Sequence, residues 1–442
     1  MGLFSTLNTG VSGLGVNSSG MNVIGDNIAN VNTVGFKSSR VNFSDLVQRS
    51  ASTGALGLGS TVSGIGVNFG QGGLENTTNV TDLALTGRGF FVLRNPNIAG
   101  DRFFSRAGSF YLDPNGRLTN DQGYFLQGYT STGSGRMTAT VDDIVIDTGV
   151  LPPQATAQIT LTGNLDSRVQ YDATREIDPT AFDGSATTYT FDDLDDMADF
   201  TITVTVYDSQ GEPHDLTTFF QRAAANNTWN YYTCAIDSEV DSAYRYGVED
   251  AAFLTEAGTI EFNTDGGVDA VTVSALGGTT SQGMVTYDGA SDQHIEVDFA
   301  DKTDLTQYGE PSSLAGITQD GHSAGYLSYL DVDDSGIITG VYSNGERSAL
   351  GQLAIGTFAS EAGLVRQGDG VYGQTPESGA SAIGKPNTGG RGSVTAYALE
   401  MSNVNLEAEF VKMIQSQTGY QANSRVINTT DQMLQDLIQN IG

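Results

Sequence analysis

Apolar residues recur at every seventh position near both ends of the chain and in no comparable row between them. Leu7, Leu14, Met21 and Ile28 form one row; Leu406, Met413, Tyr420, Ile427, Leu434 and Ile441 form the other. Such a row marks a narrow helical seam of the coiled-coil kind. An ideal helix drifts about 20° per heptad away from it, so holding the register needs a partner helix. The spacing therefore predicts two self-assembly helices that meet each other or further copies of the chain. Gln417, Ser424 and Asp431 weaken one seam, and Ser18 and Gly25 the other. Gly10, Gly13, Gly15 and Gly20 also interrupt the first helix, each costing about 1 kcal/mol relative to alanine. Segments of this kind are marginal alone and order on association. The plainer alternative is an ordinary helix pair closing one globular core.

Between the ends the pattern changes to strands. Phe90–Leu93, Phe103-Phe104, Phe110–Leu112 and Tyr124–Leu126 are short β-type runs, with turn chemistry at Asp113-Pro114-Asn115-Gly116. Thr201–Tyr207 alternates, placing Ile202, Val204 and Val206 on one face and threonines on the other, the signature of a half-buried antiparallel strand. Leu216–Phe220, Trp229–Tyr232, Gly258–Phe262, Gly336–Tyr342 and Gln352–Phe358 continue the theme, the last two flanking a Ser343-Asn344-Gly345 turn. Residues 54–73 carry eight glycines and read as a pliable connector. Breaks at Leu151-Pro152-Pro153-Gln154 and Gly309–Ser313 bracket a long middle stretch.

If the end helices pair, everything between them must leave and return. The expected architecture is mainly β with an α-helical coiled-coil terminal domain, nested in layers. Residues 1–32 and 403–442 form the helical layer, 33–75 an extended Gly-rich connector, 76–150 and 321–402 a discontinuous β-domain, and 151–320 an inserted acidic β-domain.

Charge sharpens this division. The net charge of the 442 residues is −32, and residues 151–320 hold 30 Asp and Glu against 5 Lys and Arg, while the first 50 residues come out at +1. An acidic body between near-neutral ends suits a solvated domain flanked by association surfaces. It gives nucleic-acid phosphates no basic patch to meet. No apolar run approaches 18 residues, so membrane insertion is not expected, and no charged segment leads into an apolar run as a secretory signal would. Met1–Thr6 fits the myristoylation pattern, but the heptad seam explains the same residues. The single Cys234 rules out an internal disulfide framework and reads as a buried structural thiol rather than a crosslink between subunits.

Candidate chemistry is thin. Asp331-Val332-Asp333-Asp334-Ser335-Gly336 opens like a calcium loop, yet its twelfth position is Tyr342 where a bidentate carboxylate is needed, so a β-turn is expected. His214, His294 and His322 lack metal-ligand spacing, and His214 reads as part of a surface turn. No serine or cysteine sits in a nucleophile motif, and the glycine-rich stretches lack the context of a phosphate loop. Trp229 reads as a core anchor. No catalytic, metal or cofactor residue is assigned, and the chain reads as non-enzymatic.

Three groups of motifs carry a resemblance. Ala29-Asn30-Val31-Asn32-Thr33-Val34-Gly35-Phe36-Lys37 is similar to the signature of bacterial flagellar rod and hook proteins. Phe104-Ser105-Arg106-Ala107-Gly108-Ser109-Phe110, followed by Gly123–Tyr129, resembles the central motif of that axial family. Leu399–Leu406, with Asn403 and Val404, and Gln417–Asn423 resemble its C-terminal pattern. Tyr207–Leu216 with Trp229 resembles the outer domain of the hook branch, whereas residues 166–200 and 235–255 carry no resemblance. The resemblance implies a structural subunit of the extracellular hook of the flagellar basal body. It would be exported by the flagellar type III apparatus and self-assemble into a flexible helical tube that passes torque from rod to filament. The partners it implies are identical subunits in a helical polymer, the distal rod protein, the hook-cap protein and the hook–filament junction protein. Phe43 and Val47 resemble the Phe-x-x-x-hydrophobic export element of this class, although Phe43 could equally pack between subunits. A distal rod-type axial protein is the alternative, and a secreted β-rich adhesin a more distant one.

Overall fold

The computed structural model describes residues 2–50, 54–98, 100–132, 136–182, 189–242, 244, 251–273, 283–299 and 305–441. Within these, the side chains of residues 2–4, 47–50, 54–57, 437, 438, 440 and 441 are not described, so Val47 and Ile441 lie outside the described side chains. The chain forms two compact units. One comprises residues 1–148, 328–341 and 347–442, the other 149–327 and 342–346. The fold is mainly β with helices at both ends. Helix α1 spans Gly2–Ala29, a short α2 spans Phe191–Met197, and α3 spans Leu406–Ile441.

In the first unit, α1 runs unbroken across the glycines expected to interrupt it. It packs antiparallel on α3, which begins at an N-cap where the Asn405 side chain accepts from Ala408 N at 3.0 Å. The glycine-rich connector is a second departure from expectation. Residues 39–67 form a long antiparallel hairpin, β1 (Ser39–Ser50) and β2 (Gly54–Val67), registered from Ser39↔Val67 to Ser50↔Gly54. The glycines serve geometry rather than pliability. The register slips between Asn42/Phe43 and Leu46/Val47, opposite Gly64 and Gly59, as β-bulges do. Gly59 has φ +102° and lies so close to α1 that a β-carbon there would crowd Ser12 Oγ.

The β-body of this unit is built from two separated stretches of chain. Strand β3 (Leu74–Asn76) pairs with Ala398–Glu400, and β4 (Leu83–Thr86) with Ser393–Ala396. Strand β5 (Phe90–Arg94) pairs with β6 (Arg102–Ser105), with Phe125–Thr130 and with Ile355–Thr357. Alternate residues Phe90 and Val92 enter a core with Phe104, Phe358, Leu364 and Tyr372, where Phe104 meets Phe358 edge-on at 4.7 Å. Two turns follow their sequence chemistry. Asp113 Oδ1 accepts from Asn115 N and Arg117 N while Gly116 takes φ +76°. In the calcium-like stretch, Asp333 Oδ1 accepts from Ile337 N at 2.8 Å and Gly336 takes φ +69°, which makes a hairpin turn.

The second unit is organised on a five-stranded antiparallel meander: Phe200–Tyr207, Pro213–Arg222, Thr228–Ile236, Ala252–Phe262 and Val268–Val273. Ile202, Val204, Val206, Phe220 and the fully buried Trp229 face one core, shared with Ile159 and Leu161 of a second sheet. Phe219, Tyr232 and Cys234 face the other way, beneath Leu194 of α2 and Phe182. Helix α2 is started by a capping box between Thr190 and Asp193. Burial pushes the Cys234 thiol far above the ordinary thiol range, as befits a structural group. His214 corrects an expectation. It lies within the strand Pro213–Arg222 rather than in a surface turn. Its imidazole stacks on Tyr287 at 3.7 Å, with Nδ1 2.8 Å from Glu239 Oε2. Pairing of Val206 with His214 registers it as a strand residue.

Candidate assembly surface and the junction that positions it

The helix contact runs largely down a different stripe from the apolar heptads, sharing Ile427 with them. Gly10 faces Ile427, Gly13 faces Asn423, Asn17 faces Gly419, Gly20 faces Ser416, and Asn27 donates to Glu409 Oε2 at 3.2 Å. On α1 these positions, with the buried Ile24, advance by alternate threes and fours. That is the period of a coiled coil, but glycine and asparagine carry most of it. A β-carbon on Gly10 would lie 2.9 Å from Ile427 Cγ1, and one on Gly13 2.6 Å from the Asn423 carboxamide, so both glycines are spacers that let the helices close up. Gly15 has open space beside it.

Of the predicted rows, Ile427 lies in this seam against Gly10, and the other described residues stand beside it. Leu7, Leu14, Met21 and Ile28 are half-buried, as are Met413, Ile427 and Leu434, while Leu406 and Tyr420 are exposed. Phe410, Val411 and Ile414 are also open to solvent, Ile414 at 62 %. Phe43 is 53 % exposed on β1 and lines a groove of about 440 Å³ with Val23, Ile24, Val41 and Ser416. A single chain thus leaves its helix pair with uncovered apolar flanks.

Beneath the helices the family signatures converge on one buried cluster. Asn30 closes the end of α1, its Nδ2 donating to Asp26 O at 2.9 Å and its Oδ1 accepting from Thr33 Oγ1. Gly35 then turns with φ +68°, where a β-carbon would lie 2.4 Å from Ala107 N, so only glycine fits. Its N–H donates to Glu400 O at 2.6 Å. Phe36 is buried under the Arg366 guanidinium at 4.6 Å, and Arg366 Nη2 donates to Lys37 O. Lys37 and Glu400 are wholly removed from solvent and joined at 2.5 Å. The second Glu400 oxygen takes Arg106 Nη1 at 3.2 Å, and Gly72 N donates to the first at 2.9 Å. Lys37 also donates to Gly70 O, and Arg106 Nη2 to Gly87 O. Burial draws the Lys37 ammonium below its ordinary value, and the Glu400 hydrogen bond and charge oppose that pull.

Asn403 ties the same place together from the C-terminal side. Its Oδ1 accepts from Ser38 N, and its Nδ2 donates to Asn68 O and Gly70 O, each at 2.8 Å. Gly108 lies against Leu83 O, where no β-carbon fits, and Phe110 packs edge-on to Phe91 at 5.3 Å. Val404 is half-buried beside the start of α3. The cluster therefore gathers Gly35, Phe36, Lys37, Arg106 and Asn403 around Glu400 where both chain ends enter the β-body, while Asn30, Gly108, Phe110 and Val404 make separate contacts.

Sequence reasoning did not single out Glu400, Asn27, Glu409 or Arg366. Glu400 had a signal. Two lone cations in motifs otherwise poor in charge, Lys37 and Arg106, require a buried anion. Asn27 and Glu409 had none, because polar residues at helical spacing read as solvent-facing. Among the described residues no group of three or more His, Cys, Asp or Glu could hold a metal ion, and no helix is long and apolar enough to cross a membrane.

Paired terminal helices, a β-body assembled from both halves and an inserted second unit define an axial protein of the bacterial flagellum. Four family models match in matching order. They are the flagella basal body rod protein over residues 7–37, the flagellar hook protein FlgE/F/G D1 domain over 84–165, the flagellar basal body protein FlaE D2 domain over 164–322, and the flagellar basal body rod FlgEFG protein C-terminal region over 395–440. The chain belongs to the flagellar hook protein FlgE family. It is 34% identical to that protein from Treponema pallidum, covering 99% of both chains. It is also 34% identical to the Salmonella typhimurium protein over 97% of this chain and 98% of the relative. The hook protein FlgE2 of Helicobacter pylori shares the fold, with a TM-score of 0.52 at 14% identity, covering 74% of this chain and all of that one.

Proposed function

We propose that this chain is the structural, non-enzymatic subunit of the flagellar hook, located in the hook of the basal body and polymerising into a helical tube that transmits torque from rod to filament. One observation carries the reading. The two end helices already meet through a stripe of mostly small and polar residues that takes Ile427 from the apolar heptads, so the other heptad residues remain for neighbouring copies. Residues 1–32 and 403–442 are then the assembly layer, and Leu7, Leu14, Met21, Ile28, Leu406, Met413, Tyr420 and Leu434 its contacts. The acidic unit adds polar faces that repel and stay wet, so that neighbours slide rather than lock. The distal rod protein, hook-cap protein and hook–filament junction protein are the heterologous partners, and the flagellar type III apparatus the exporter. Phe43 and Val47 are candidates for the export element; the exposure of Phe43 is compatible with that role and with a subunit contact.

Deleting residues 406–442 leaves the junction residues Glu400 and Asn403 in place. The truncated chain is expected to stay soluble and folded but to form no helical polymer under negative-stain microscopy, whereas the full chain forms tubes. Tubes from the truncated chain would overturn the assignment of the assembly layer.

A further inference from the structure

The second unit places one carboxyl on a face of its meander otherwise given to the core. Glu256, in the strand Ala252–Phe262, is only 5 % exposed. Two local features put it there. The register against Thr228–Ile236 slips so that Leu254 pairs with Cys234 and Glu256 with Thr233, leaving Thr255 as the extra residue of a β-bulge. Before the bulge, Ala252 and Leu254 enter the core beneath α2; beyond it, Ile260 and Phe262 enter the core of Trp229 and Tyr231. Glu256 alternates in step with Ile260 and Phe262, so the bulge turns it toward this second core. Gly258, paired with Tyr231, makes the room. A β-carbon there would lie 2.8 Å from the Tyr231 hydroxyl oxygen, and that hydroxyl donates to Glu256 Oε1 at 2.7 Å.

Among the described residues that hydroxyl is the one hydrogen-bond partner of the Glu256 carboxyl, and no lysine or arginine pairs with it. Glu400 at the junction differs, being met by two cations and a backbone N–H. The titratable groups that face Glu256 are Tyr231 on the neighbouring strand, His294 of Gln293-His294 and Glu296 of Glu296–Asp298. Burial raises the Glu256 carboxyl above its ordinary value; the Tyr231 hydrogen bond and His294 oppose that pull, and Glu296 adds to it. Burial also pushes the Tyr231 phenol well above its ordinary value, so it stays a donor. A single hydroxyl does not replace the hydration of a buried charge. We infer that Glu256 is a pH-responsive latch in the second unit. Protonated, it closes the bulge against Tyr231; ionised, it loosens the pairing of Thr228–Ile236 with Ala252–Phe262. A carboxyl whose folded value lies above the unperturbed 4.5 supports folding while protonated. That support is whole below pH 4.5 and is lost as pH rises through the raised value.

The test is urea unfolding of the unpolymerised full-length chain between pH 4.5 and about 8, followed by tryptophan fluorescence. The chain holds one tryptophan, Trp229, buried in the same core as Tyr231, so the signal reads this unit. Wild type is compared with Glu256→Gln, because the other carboxyls titrate in both chains and cancel in the ratio. The wild-type unfolding constant is expected to rise relative to that of the glutamine variant as pH increases. The rise is about tenfold for each pH unit separating the folded and unfolded values of Glu256. A ratio that stays constant or falls over this range overturns the latch. Tyr231→Phe reads the same group with the carboxyl kept, and its loss of stability against wild type is expected to be greater at about pH 8 than at pH 4.5. An equal or smaller loss at the higher pH overturns the latch even where Glu256→Gln fails to fold.

Discussion

The junction and the helix pair are both made where the chain's two ends meet, and they use opposite physics. At the junction, Lys37, Glu400 and Arg106 are joined in a buried site, Asn403 ties its edge by hydrogen bonds of 2.8 Å, and glycines at 35 and 108 leave no room for a side chain. Along the helices, contact passes through Gly10, Gly13, Gly20 and Gly419 with Ile24 and Ile427, and the other heptad residues stand beside the seam half-covered or exposed. The first is complete in one chain; the second keeps surface in reserve. A subunit that must hold its own shape while its terminal helices bind neighbours needs both, joined end to end.

The largest effect should come from removing the central anion of the junction. Glu400→Ala strands two buried cations, and losing one partner of a buried ion pair costs about 3–5 kcal/mol. Chemical unfolding of the unpolymerised chain should show that loss, with the helix pair released as well because Gly35 and Asn403 register around the same point. Adding Lys37→Met to Glu400→Ala should cost less than the two single changes summed, since the second change removes a charge the first left unpaired. Full additivity would mean that the cluster is not one coupled unit.

How much of this was legible in the sequence follows from the same contrast. The strands were readable because Ile202, Val204 and Val206 alternate with threonine and because Asp113–Gly116 carries its own turn chemistry. The helices were readable from their period, and the structure uses that period. Of the residues that revealed it, it places Ile427 in the contact and leaves the other described ones half-covered or exposed, because hydrophobic pattern marks what gets covered without saying by which molecule. The hairpin at residues 39–67 was missed because eight glycines between residues 54 and 73 suggest flexibility, while bulges and close approach to α1 need the same residue. The lone cations Lys37 and Arg106 call for a buried anion, but a salt bridge between residues 363 positions apart does not say which carboxylate supplies it, so Glu400 stays hidden within its motif.

A smaller effect is expected at the helix seam. Gly13→Leu improves helix propensity by about 1 kcal/mol but drives a side chain into Asn423, and overpacking of this kind costs about 1–3 kcal/mol. The net loss should appear as fraying of α3 in hydrogen exchange, with the β-body unchanged. Faster exchange throughout the first unit would show that seam and junction are not separable.

The smallest effect on the single chain and the sharpest on assembly are expected together, at Leu14. It belongs to the flanking row, half-buried in the isolated subunit. Leu14→Ser should lower the stability of the unpolymerised chain by about 1 kcal/mol or less, because only part of the side chain leaves water on folding. On the proposed assembly a neighbouring copy covers the same position in every subunit, so the deficit recurs at each contact. Sedimentation should then show polymer failing at concentrations where the wild type assembles, while unfolding curves of the two chains nearly coincide. If Leu14→Ser instead unfolds the subunit and polymerises normally once folded, the flank is core, and the division between a finished junction and an unfinished helix pair does not hold.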